Sequence, residues 1–283
     1  MRDLTYRLVN VFTVDGDPFS GNPLCVFEDG QSLDAAEMQA LALQFNLSET
    51  TFVLPSERAT ARVRIFTPGF EMPFAGHPTL GTAHVVRSLR GGGDPVTLEM
   101  QAGVIPVSAE GDEWSLAARA PKSRPVAATR VELGQMLGLS AEDVADAPLW
   151  VDAGSEQLVI PLSSPDAVRR CAPDVALLRR HGARSDGTYL AYVWAEAGRG
   201  EVEARFFFPK GSALAEDPAT GSACASLGGW FLAHQAQLPA GRLIRQGDAV
   251  GRPSRLRLRV DEERRIFVSG EVVELGVGTV RLS

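Results

Sequence analysis

The chain has 283 residues, 45% hydrophobic and 22% charged, with a net charge of −7. That length fits two domains of about 100–200 residues each, and the composition is that of a globular chain, not a wholly disordered one. The negative charge disfavours nucleic acid or an anionic membrane as the main partner, because both need a basic surface.

Met1-Arg2-Asp3-Leu4-Thr5-Tyr6-Arg7 lacks the apolar core of a signal peptide, and no apolar run approaches the ~18–20 residues of a membrane span, so a cytoplasmic protein is expected. Strands are expected at Leu8–Phe12 and Leu24–Phe27. Asp34 with Glu37 forms a capping box, and Met38, Leu41, Ala42 and Phe45 recur at helical spacing, which predicts a helix over Asp34–Asn46. Thr51–Leu54 is β-rich, and Arg62-Val63-Arg64-Ile65 alternates as a half-buried strand does. A helix is predicted over Leu80–Leu89, a strand over Gly103–Val107 and a helix over Val131–Leu137. Beyond these come a strand at Leu158–Leu162, a helix at Asp166–Arg180, and strands at Thr188–Trp194 and Val202–Phe208. A helix at Ser222–His234 precedes strands at Arg255–Val260 and Ile266–Val268. Strands and helices do not alternate regularly, so a doubly wound parallel sheet is rejected in favour of an α+β class.

An internal repeat organises the chain. His77-Pro78-Thr79-Leu80-Gly81-Thr82-Ala83 matches Asp217-Pro218-Ala219-Thr220-Gly221-Ser222-Ala223, 140 residues later. Upstream, Ile65-Phe66-Thr67-Pro68 resembles Phe206-Phe207-Phe208-Pro209, and two further blocks follow in the same order. Two similar domains are inferred, 1–120 and 126–270, with a linker in the strand-breaking stretch Ala118–Pro125.

Each repeat carries a loop with Pro and Gly running into an apolar helix, Pro73–Ala83 and Glu216–Ala225. Small residues let backbone N–H groups approach a ligand, and a helix N-terminus favours an anion such as a carboxylate; the plainer reading is a tight turn with close helix packing. His77, between Gly76 and Pro78, reads as a loop histidine able to pass a proton or donate a hydrogen bond, whereas His84, His181 and His234 read as surface or packing residues. Asp217 is either a hydrogen-bond acceptor in the site or a helix cap. Glu49, at the mouth of a strand, is either a general base or a solvated carboxylate. Cys25, Cys171 and Cys224 stand far apart with no Cys-x-x-Cys, which argues against disulfides or zinc. No Cys/His cluster or Gly-x-Gly-x-x-Gly calls for a metal or a dinucleotide.

Together, Asn10-Val11-Phe12 with Gly21-Asn22-Pro23, Ser48-Glu49-Thr50-Thr51-Phe52, and Phe66-Thr67-Pro68 with Glu71 and Pro73-Phe74-Ala75-Gly76-His77-Pro78-Thr79-Leu80-Gly81 resemble the PhzF-like phenazine-biosynthesis family. The resemblance extends through Glu216-Asp217-Pro218-Ala219-Thr220-Gly221-Ser222-Ala223, Gln246-Gly247 and Gly251-Arg252-Pro253-Ser254, so it covers almost the whole chain. It implies the diaminopimelate epimerase-like fold: two pseudo-symmetric domains, each a curved, mostly antiparallel sheet around a central helix, with the last strand near 271–283 returning to the first domain. It implies a homodimer that isomerises trans-2,3-dihydro-3-hydroxyanthranilate, a cyclic amino acid, without metal or organic cofactor. Glu49 is then the proton-transferring acid/base, and Gly76, His77, Asp217, Gly221 and Ser222 contact the substrate. The sequence departs from the thiol-pair epimerases: Cys224 lies in the second loop's helix, but the first loop has no cysteine. An epimerase or racemase of another amino acid, and a catalytically silent ligand-binding protein, remain the alternatives.

Overall fold

The computed structural model describes residues 1–211 and 213–282, which form two compact units. The first comprises Met1–Ala117 together with the C-terminal segment from Ser269; the second is Ala118–Val268.

The first unit opens with the antiparallel pair β1 (Arg2–Val11) and β2 (Asn22–Phe27), followed by helix α1 (Ala35–Phe45). The capping box of Asp34 and Glu37 starts α1, and Asn46 in the left-handed conformation ends it. Its Met38, Leu41 and Ala42 join Leu4, Phe27, Phe52 and Phe66 in an apolar cluster. Strand β3 (Glu49–Leu54) pairs parallel with β2 and antiparallel with β4 (Ala61–Phe66), which carries the two-residue strand β5 (Glu71–Met72) at its end. Helix α2 (Gly76–Leu89) crosses to β6 (Val96–Met100), parallel to β4, and β7 (Gly103–Glu110) and β8 (Glu113–Ala117) complete the run. The sheet wraps around α2, which touches β1, β2, β3, β6, β7 and β8. Close approach requires Gly81: a Cβ there would stand 2.7 Å from Leu24 Cδ2 and 2.9 Å from Val11 Cγ2.

The second unit begins with β9 (Lys122–Pro125), α3 (Arg130–Leu137) and β10 (Leu149–Asp152), which pairs with β9. It then repeats the first unit's scheme. Strand β11 (Glu156–Pro161) is antiparallel to β10; α4 (Pro165–Arg170) and α5 (Val175–His181) lead to β12 (Ala191–Gly198), parallel to β11. Strands β13 (Glu201–Lys210) and β14 (Ala213–Asp217) follow, then α6 (Gly221–Ala233), β15 (Ala240–Gln246) parallel to β13, and β16 (Ser254–Val260). Helix α6 is apolar almost all round, as a helix enclosed by its sheet must be. Strand β17 (Ile266–Leu282) starts in the second unit and pairs antiparallel with β1 in the first.

Four expectations need correction. The helix expected over Asp166–Arg180 is two, because Pro173 cannot continue α4 and Asp174 caps a new start. The strand expected from Thr188 begins at Ala191. The stretch read as a linker contains β9, where Pro125 sits at a strand end. Helix α2 starts at Gly76, four residues before the expected Leu80, because Pro78 falls in the first turn, where no N–H is needed.

Candidate active site

The early start of α2 places His77 in a helical first turn, correcting its reading as a loop residue. Its side chain is 6% exposed and its Nε2 lies 3.4 Å from Glu49 Oε2. Glu49 is the first residue of β3, beside α2 in the same unit, and keeps 15% of its side chain exposed. The imidazole also bonds the Pro23 backbone carbonyl, an acceptor that requires a ring N–H donor. Burial lowers the His77 pKa from 6.5 to about 3, since charging the ring would mean desolvating a cation; the Pro23 contact opposes this only in part. His77 is thus a neutral imidazole presenting Nε2 to a carboxyl group. Such a pair can share one proton.

Gly76 is the first residue of α2, next to His77, and no side chain caps this helix at Ala75. Helices α1, α3, α4 and α5 by contrast carry Asp34, Thr129, Ser164 and Asp174 as caps. Beneath this turn, Thr79 Oγ1 donates to the Ala75 carbonyl at 2.6 Å, and the Thr51 and Thr82 hydroxyls meet at 2.8 Å.

In the second unit, Asp217 ends β14, and Gly221 and Ser222 open α6, also without a side-chain cap. Thr220 Oγ1 donates to Asp217 Oδ2 at 2.5 Å. Gln246 Nε2 donates to the Asp217 carbonyl at 2.8 Å and to Thr220 Oγ1 at 3.0 Å, so one buried amide fixes both ends of the loop. Gly247, at φ +85°, lets this amide in: a Cβ there would lie 2.2 Å from the Arg252 carbonyl oxygen and 2.6 Å from that of Pro218. Gln157 Nε2 donates to Ser222 Oγ at 3.0 Å. Glu49, Gly76 and His77 are thus gathered in one unit, and Asp217, Gly221 and Ser222 in the other. Reasoning from residue types missed Pro23, Gln157 and Thr220; no spacing marks them, because they act through backbone or neighbouring groups brought near by folding.

The helix starts also correct the register of the repeat. Gly76 of α2 corresponds to Gly221 of α6, which pairs His77 with Ser222 rather than with Asp217. The Pro-Thr-Leu-Gly-Thr-Ala run matched to Pro-Ala-Thr-Gly-Ser-Ala is helical throughout in the first unit and loop plus helix start in the second.

All three cysteines are free and buried. Burial raises the thiol pKa of Cys25 and Cys224, and pushes that of Cys171 up to about 12, so each is a poor thiolate. Among the described residues, no group of three or more His, Cys, Asp or Glu side chains is placed to hold a metal ion, and no helix is long and apolar enough to cross a membrane.

Residues 9–278 match the PhzC-PhzF family, described as phenazine biosynthesis-like protein, and the chain belongs to that family. It is 38% identical to an uncharacterized isomerase of Pasteurella multocida, over 96% of this chain and 92% of that one. It is 36% identical to the trans-2,3-dihydro-3-hydroxyanthranilate isomerase of Pseudomonas chlororaphis, over 98% and 99%. Among solved structures, a PhzF-family phenazine biosynthesis protein of Bacillus anthracis superposes with a TM-score of 0.86 at 23% identity, covering all of both chains, and so shares the two-domain α+β fold. By these relationships the protein is an enzyme of the isomerase class.

Proposed function

We propose that the protein is a cofactor-independent isomerase that moves a proton between carbons of a small cyclic amino acid or related acid. Glu49 is its general acid/base. The observation that carries this reading is the 3.4 Å approach of Glu49 Oε2 to a buried, neutral His77. The name of the Pseudomonas chlororaphis relative supplies the substrate class.

In the proposed step the Glu49 carboxylate takes a proton from a substrate carbon. The C–H electron pair shifts into the ring and displaces the adjacent double bond toward the far carbon. That carbon then takes the proton back from the Glu49 carboxylic acid, so charge and atoms balance over the cycle. His77 holds the transferred proton in place through Nε2 and orients the substrate. Gly76 in the first unit, and Gly221 and Ser222 in the second, stand at helix starts that no side chain caps, and their backbone N–H groups suit contact with an anionic substrate group. Asp217, held by Thr220 and Gln246, accepts a hydrogen bond from its amino or hydroxyl group. We further propose a cytoplasmic homodimer.

Turnover of trans-2,3-dihydro-3-hydroxyanthranilate by wild type and Glu49→Gln tests the reading. The variant keeps the shape of the side chain but cannot accept the proton, so turnover should fall by ~10²–10⁴-fold with binding preserved. Wild-type turnover in deuterated water should place label at the newly protonated carbon. A Glu49→Gln enzyme as fast as wild type would remove Glu49 from the mechanism. Amino-acid racemisation is the weaker reading, since the two-thiol form needs reactive cysteines, and Cys224 is buried and protonated.

A further inference from the structure

The two units share a side-chain arrangement at the strand that leads into each central helix. In the first, Arg64 of β4 grips Glu71 of β5 with two parallel hydrogen bonds, Nε to Oε1 at 2.8 Å and Nη2 to Oε2 at 2.7 Å. The guanidinium also lies over the Phe66 ring, 5.0 Å from its centre. In the second, Arg205 of β13 grips Glu216 of β14 in the same way, at 3.1 and 2.7 Å, and lies 4.7 Å from the centre of Phe207. The strand registers agree: Phe66 pairs with Glu71, and Phe207 with Glu216. In both units a proline follows the glutamate by two residues and the helix opens five residues after it, at Gly76 and Gly221.

We infer that Arg64–Glu71 and Arg205–Glu216 are a duplicated pair of positioning residues that set where the first turns of α2 and α6 stand, and hence His77 in the first unit and Ser222 in the second. No side chain caps either helix, so the incoming chain fixes the first turn; that chain is held at the glutamate, with Ala102 N–H to the Pro73 carbonyl as a further tie in the first unit and Gln246 in the second. The need is greatest in the first unit. Strand β5 pairs with β4 at only two positions, Ile65 with Met72 and Phe66 with Glu71, whereas β14 pairs along its whole length. A planar guanidinium meeting a carboxylate through two bonds fixes direction as well as distance, which a single contact or a lysine would not. Arg205 spends its remaining Nη1 on the carbonyls of Cys171, Arg169 and Val168, so it ties the end of α4 to the same strand.

The choice of variant follows from burial. The Glu216 side chain is only 8% exposed, and its loss could unfold the unit; Glu71, at 22%, is the safer probe. Glu71→Gln and Arg64→Lys are compared with Glu196→Gln, which breaks the part-exposed Arg242–Glu196 pair, beside Phe231 of α6 and not at that helix's first turn. Amide hydrogen exchange read by mass spectrometry needs no substrate: Glu71→Gln should speed exchange in residues 76–79, read at the Thr79 amide that bonds the Ala75 carbonyl because Pro78 has no N–H, at least tenfold and leave residues 85–89 at the wild-type rate. Only the activity arm rests on the functional reading above. With trans-2,3-dihydro-3-hydroxyanthranilate, kcat should fall ~10–100-fold, the scale of a small misplacement of a catalytic group, at a Tm matching that of Glu196→Gln. Arg64→Lys should fall between Glu71→Gln and wild type in both readouts. Unchanged exchange in residues 76–79 would overturn the inference, and so would acceleration spread evenly along α2, which marks general loosening. Should the wild type not turn over this compound, the functional reading fails while the exchange arm still decides the role of the pair.

Discussion

The protonation of His77 can be tested by pH alone. Folding places the ring at 6% exposure and lowers its pKa from 6.5 to about 3. In the unfolded chain the ring takes up a proton near pH 6.5; in the folded protein it does so only near pH 3. Between those values the unfolded state binds more protons, so the contribution of His77 to stability is lost as the pH falls. From pH 7.5 to pH 5 that loss is about 2 kcal/mol, at about 1.4 kcal/mol per pH unit below 6.5. Urea unfolding of wild type and His77→Gln at both pH values isolates the His77–Glu49 pair, because groups away from it titrate alike in the two proteins. The stability advantage of wild type over the variant should shrink by about 2 kcal/mol at pH 5. A constant advantage would mean that His77 does not titrate differently on folding. An advantage that grows at pH 5 would mean an imidazolium paired with the Glu49 carboxylate 3.4 Å away, with its pKa raised. In that case His77 would not be the neutral partner the proposed proton transfer requires.

Cys224→Ala should keep turnover within a few-fold of wild type, and a thiol reagent should modify none of the three cysteines before the protein is denatured, because all are buried. Gly247→Ala forces a Cβ to 2.2 Å from the Arg252 carbonyl oxygen at a positive φ; it should cost at least ~2 kcal/mol in urea unfolding and weaken substrate binding through the Asp217 loop. Gln246→Leu removes the donor to Asp217 and Thr220 and should cost about 1–3 kcal/mol, with KM raised more than kcat is lowered, if Asp217 orients the substrate.

What could be read in the sequence was what local chemistry writes there. Asp34 and Glu37 announce α1, and the Arg-Leu alternation of 255–260 announces β16 with every second side chain buried. Strands β6, β8, β10, β14 and β15 gave no such signal, because short strands are stabilised by their neighbours more than by their own propensity. The repeat is visible in the sequence, but its register is not. Small residues recur in both copies for different reasons: Gly81 because α2 lies against Leu24 and Val11, Gly221 because it opens α6. Matching Gly81 to Gly221 therefore equates two unlike packing constraints and shifts the copies by five residues. The constraint the copies do share is spread over strand and loop, in Arg64, Phe66 and Glu71 against Arg205, Phe207 and Glu216, where pairing across a hairpin fixes the spacing. In that register the first helix start carries an imidazole and the second a hydroxyl, while Asp217 lies five residues from the position of His77. The two halves repeat a scaffold, and the side chains placed on it differ between them: Glu49 and His77 approach to 3.4 Å in one unit, and Asp217, Thr220 and Gln246 form a fixed polar network in the other. A duplicated scaffold with divided chemistry fits a reaction in which one carboxyl group handles the proton better than one that needs a matched base in each half.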